Sequence, residues 1–240
     1  MFLLCLTILF VPALASAFSS ALMAQHHEAA PQVGHDHHAP AAAGQWDGSP
    51  AGVAYSEHNH HLAGLFVLLI GLSELRGALG VPRLAWSRFL LPLAMLGAGG
   101  FLMVWSDHEA WPIGDKSFAD TYFSNDWETI QHKLYGILLL TVGTIEMRRR
   151  TDKMKRLVWG MLLPVFALVG GGMLFLHSHG AHPSAHKIAM HHYAMGTTAI
   201  LAGLCKVTAE TKPQTGRSPW GLAWAALVLV IGVELLLYKE

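Results

Sequence analysis

The chain has 240 residues, of which 52% are apolar and 13% charged. Soluble domains carry about 25% charged residues, so the composition points to a lipid bilayer. Formal net charge is zero, which gives no electrostatic ground for nucleic-acid binding, and two cysteines, Cys5 and Cys205, make no disulfide framework.

Residues 2–14 are almost wholly apolar and are followed by Ala15-Ser16-Ala17. That pattern is a secretory leader with an A-x-A cleavage site. No Lys or Arg precedes the apolar run, so an uncleaved anchor helix is the alternative, and the first segment is set at 1–24. Residues 25–57 are rich in Ala, Pro, Gly and His without helical or strand period. They read as a disordered tether, either a plain solvated linker or one whose His26, His27, His35, His37 and His38 give it loose metal affinity. The domain proper is expected over 58–240.

Six apolar segments follow, at about 61–79, 86–106, 131–147, 157–177, 190–206 and 219–238, each near the ~20 residues a spanning helix needs. Twelve of the sixteen Lys and Arg lie in three short connections: Arg76, Arg83 and Arg88; Arg148, Arg149, Arg150, Lys153, Lys155 and Arg156; Lys206, Lys212 and Arg217. The positive-inside rule puts those connections in the cytoplasm. Every histidine then falls on the other side. The outer loop 107–131 is acidic and aromatic, with Trp111, Tyr122 and Trp127 suited to a membrane interface.

The segments repeat. His60, Gly64, Gly71 and Glu74 align without gaps on His132, Gly136, Gly143 and Glu146, and on His192, Gly196, Gly203 and Lys206. The expected architecture is all-α: a polytopic bundle of six spans built as three repeated helical hairpins. Glycines seven apart share a helix face and let helices approach closely in lipid. The acids at the far ends, Glu74 and Glu146, are expected to pair with neighbouring arginines such as Arg76 and Arg148.

The candidate chemistry is at the outer mouth. The run His177–His192 holds six histidines in sixteen residues. His60, His132 and His192 start the three odd-numbered spans at one depth, and three imidazoles with an open position suit Zn or Cu. His177, His179 and His108, with Asp107, come from the ends of even-numbered spans and supply a surrounding shell or a second site. His182 and His186 are four apart, and His191 points away from His192. Met103, Met173, Met190 and Met195 add thioethers, which favour copper. Zinc, iron and haem b are the alternatives. Haem b needs two histidines at matching depth on facing helices, and a membrane di-iron oxygenase needs His clusters that characteristically lie on the cytoplasmic face. A scaffold whose histidines sense pH is the reading without metal chemistry. No Ser-His-Asp order, phosphate loop or H-E-x-x-H motif is visible.

A leader, a His-rich outer segment and a helix bundle with His60-His61, His132, His177-Ser178-His179 and His191-His192 at its mouth resemble bacterial copper-resistance membrane proteins of the CopD type. The resemblance implies copper handling at the periplasmic face of the inner membrane, with the lipid bilayer and a periplasmic metallochaperone as partners.

Overall fold

The computed structural model describes residues 49–81, 85–124, 126–151, 153–177, 183–212 and 218–240. The leader, most of the tether, His179 and His182 lie outside these residues. Among the described residues the chain is helical, without strands.

The first helix, α1 (Pro50–Leu79), begins well before the expected tether boundary at 57. Ser49 caps it by accepting from the Gly52 amide at 3.1 Å, and Pro50 sits in its first turn, where a missing N–H costs nothing. That cap carries the helix through 50–57, where side-chain periodicity is weak. Gly80, in the left-handed region at φ 65°, ends it. A short 3-10 turn (Ala85–Phe89) leads into α2 (Leu90–Val104). The outer loop contains a six-residue helix, α3 (Phe118–Phe123). Then come α4 (Trp127–Arg150), a short α5 (Leu157–Gly160) continued by α6 (Leu162–Leu174), α7 (Ala185–Thr211) and α8 (Pro219–Leu236).

Among the described residues, four helices are long and apolar enough to cross a membrane: Pro50–Leu79, Ala85–Val104, Leu157–Leu174 and Pro219–Leu236. The other two long helices, α4 and α7, have 24 and 27 residues but are more polar. The surface is inverted relative to a soluble protein. Leu65, Leu69, Leu72, Leu93, Ile137, Leu201, Leu204 and Val233 are exposed, while Ser73, Glu74, Lys133, Glu146 and His192 are buried. Apolar surface on that scale suits contact with lipid, and the protein reads as a membrane protein on this ground. Trp105, Trp111 and Trp127 are exposed at one end, and Trp86 and Trp220 at the other, as in the aromatic belts of spanning proteins.

The long helices pack in chain order: α1 on α2, α2 on α4, α4 on α6, α6 on α7, α7 on α8, and α8 closes on α1. In three of these contacts a glycine faces a glycine carbonyl of the next helix. A Cβ on Gly64 would lie 3.0 Å from the Gly232 carbonyl of α8; on Gly99, 3.0 Å from the Gly136 carbonyl of α4; on Gly171, 2.8 Å from the Gly196 carbonyl of α7. The interior is filled by Leu91, Met95, Val142, Leu163, Ala202, Trp224 and Val228.

One end of this apolar core meets a charged network. Glu74 accepts from Arg150 (2.6 Å), Lys206 (3.0 Å) and the Trp224 indole (2.8 Å), joining α1, α4, α7 and α8. Glu146 pairs with Arg149 at 2.6 Å and Arg150 at 3.6 Å, and Arg149 also reaches Glu210 at 3.1 Å. The acids therefore pair with arginines, but Glu74 takes Arg150 from another helix rather than Arg76, which donates to the Val81 carbonyl. Glu146 takes Arg149 and Arg150 rather than Arg148. A helix brings residues three and four apart together, not two.

Candidate metal centre

The histidines collect at the opposite end. His60 is on α1, His132 on α4 six residues after the Asp126 cap, His177 just past the end of α6, and His191-His192 on α7. Their rings form a connected series. The centroids of His60 and His192 are 6.2 Å apart, those of His192 and His177 4.9 Å, and those of His177 and His132 5.6 Å. Side chains from four separate helices or their ends thus meet within one region.

Within it, donor atoms of Glu128, His132 and His177 lie within 4.8 Å of one another, and this is the metal-competent group among the described residues. Metal–ligand bonds are about 2.0–2.2 Å, so a bound ion would draw these side chains closer together. Glu128 and His132 are four apart on α4 and share its face. His132 donates its Nδ1 proton to Asp107 at 2.9 Å. His177 Nδ1 faces the Gln131 amide oxygen at 2.6 Å. A proton on Nδ1 in each contact leaves the lone pair on Nε2 for an ion, the usual support for a metal-bound imidazole.

Asp107 is held in turn. The Ser106 hydroxyl donates to it, and buried Lys133 is 3.5 Å from its second oxygen. Burial alone would raise the Asp107 carboxyl, but His132 and these partners hold it below the usual carboxylate range. It is therefore a carboxylate at neutral pH, able to orient His132.

The other candidates take different places. His60 Nδ1 is 2.8 Å from the Ser56 carbonyl, and its ring stacks on Tyr238 at 3.8 Å. His191 is 5.2 Å from the same ring, and His61 donates Nε2–H to the Tyr238 carbonyl at 3.0 Å. Tyr238 is fully buried, and burial pushes its phenol up, so it stays protonated and donates to Glu240 at 3.0 Å. His108 packs edge-on against Tyr55 at 5.9 Å. His186 is exposed. Met195 packs with Ile188 and Tyr238, Met103 fills the space against Gly136, and Met190 is exposed.

Sequence spacing did not nominate Glu128, Gln131 or Tyr238. The available signal for Glu128 was its i, i+4 relation to His132. The corresponding positions before His60 and His192 are Ser56 and Ile188, so the acid breaks the repeat and is invisible to an alignment of it.

Comparison of the chain with protein-family models, with curated proteins and with solved structures finds no match.

Proposed function

We propose that this chain is a six-span protein of the bacterial inner membrane that holds a divalent transition-metal ion, copper first and zinc second, at its periplasmic end. The observation that carries the reading is the Glu128, His132 and His177 group, with two imidazoles already oriented through Nδ1. Two nitrogens and one carboxylate suit Cu(II) or Zn(II). His192 and His60 continue the ring series and offer further ligands to the same or a neighbouring ion.

Six spans follow if α4 and α7 also cross. Their polar side chains support this, because Lys133, Glu146 and His192 are buried while Ile137, Leu201 and Leu204 are exposed. Ionisable groups in a span characteristically face the bundle interior. The three glycine-to-glycine contacts each join one expected hairpin to the next, as a threefold repeat of hairpins would. The excess of Lys and Arg at the far end supports a cytoplasmic location there. Copper homeostasis or delivery, with a soluble periplasmic metallochaperone, is the role these features support.

Elemental analysis and electron paramagnetic resonance of the purified full chain test the site. About one ion per chain is expected, with the bound amount falling by tenfold or more in Glu128→Gln, His132→Ala and His177→Ala. Full metal content in all three variants would remove the assignment. A Soret band in the visible spectrum would replace it with haem.

A further inference from the structure

Below the histidines a cavity of about 280 Å³ runs between α1, α2 and α4. Its mouth is lined by Ser56, Asn59, Asp107, Glu128, His132 and His177. Its floor is lined by Phe66, Val67, Ile70, Phe101, Leu102 and Leu139. Val67, Ile70 and Leu139 pack in turn on the buried apolar cluster, which lies beyond the floor. The two chemistries lie one above the other, since His60 and Ile70 are separated by about 15 Å of helix rise. An ion in transit would need polar groups at that depth, and the floor offers hydrocarbon and aromatic rings. A mostly apolar cavity with a few convergent polar groups is the form of a small-molecule site.

We propose that this cavity binds a neutral amphiphile from the lipid phase. Its hydroxyl or quinone-type oxygen head lies at the Glu128–His132–His177 rim, and its apolar tail lies between Phe66 and Leu139. The head-group assignment rests on the metal reading above, because the bound ion is the head's partner. The charge at the mouth selects the neutral head. Asp107, Glu109, Asp126, Glu128 and Glu240 line the cavity, against the single lysine Lys116. Lys116 is already engaged by Asp126 at 2.9 Å and Glu109 at 3.4 Å. Glu128 and Asp107 offset the two charges of a divalent ion, and Glu109, Asp126 and Glu240 outnumber Lys116 and Lys133, so the mouth stays net negative and a fatty carboxylate meets repulsion where an alcohol or quinol does not.

The test is photolabelling of the full chain in lipid nanodiscs with a diazirine-tagged dodecanol, with mapping of the adducts by mass spectrometry. Adducts are expected on Phe66, Ile70, Phe101 or Leu139. They should be displaced by excess decyl-benzoquinol and not by dodecanoate. Ile70→Trp and Val67→Phe fill the floor and should each lower cavity labelling about tenfold with metal content unchanged. Adducts confined to the outward-facing Leu65, Leu69 and Leu72, or equal displacement by dodecanoate, would overturn the proposal. Metal is measured on the same samples. Bound metal without cavity labelling overturns the amphiphile alone, whereas cavity labelling without bound metal overturns the metal reading and the head-group assignment with it.

Discussion

Glu74 has three partners on three other helices: Arg150, Lys206 and Trp224. A carboxylate this well enclosed is stable only while its partners stay. Glu74→Ala leaves Lys206, itself only 13% exposed, with Glu210 at 3.3 Å as its remaining carboxylate partner. Loss of one partner of a buried pair costs about 3–5 kcal/mol. The thermal midpoint in detergent is expected to fall sharply in Glu74→Ala, and the double variant Glu74→Gln/Lys206→Gln should recover part of the loss. A midpoint unchanged in the single variant would show that the network contributes nothing. The pairing of this acid with arginine was legible in the sequence, but its partner was not. Arg150 lies 76 positions away, and only the packing of α1 beside α4 brings it close.

Gly171 and Gly172 are neighbours in sequence and opposites in environment. A Cβ on Gly171 meets the Gly196 carbonyl at 2.8 Å, whereas one on Gly172 meets nothing within 4 Å. Gly171→Ala must push α6 from α7 and is expected to destabilise by about 1–3 kcal/mol. Gly172→Ala should be neutral or stabilising by up to about 1 kcal/mol, because alanine restricts the unfolded chain and favours helix. Thermal unfolding of the two variants side by side checks this. The outer loop is fixed to α4 at Asp126, which accepts from the Thr129 amide at 3.2 Å and from Lys116 at 2.9 Å. Burial would raise this carboxyl, but Lys116 and Thr129 hold it below the usual carboxylate range. A depressed carboxyl stabilises the fold above its ordinary value, near pH 4, and that contribution is lost as pH falls through the lowered value. Asp126→Ala should therefore cost about 0.5–2 kcal/mol at neutral pH. The gap between variant and wild-type melting points should close below about pH 4. A gap independent of pH would exclude a role for the ionised carboxyl. The helices themselves were legible wherever apolar length and a Ser-Pro or Asp start coincide, as at Pro219. The start of α1 was not, because a cap of two residues, Ser49-Pro50, decides it.

Across the whole molecule, an apolar plug of Leu91, Met95, Val142 and Leu163 separates the histidine end from the charged end. Segregation of the two ends was legible from charge placement alone, since lipid excludes ionisable groups from the stretch between. The ring order was not legible, because repeats in sequence specify similar faces without saying which faces meet. That order has one loose joint. Among the neighbouring long helices, α4 and α6 share much the shortest contact. They are held by the Tyr135 hydroxyl donating to the Gly170 carbonyl at 2.9 Å and by the approach of His132 to His177. An ion bound by those two imidazoles, as proposed, would therefore act as a rivet across the weakest seam of the barrel wall. At hundredfold excess over its dissociation constant it would add about 2.7 kcal/mol to closure, and amide exchange around Tyr135 and Gly170 should slow accordingly when metal is added. With no ion bound there, the bundle would part first where the histidines face each other.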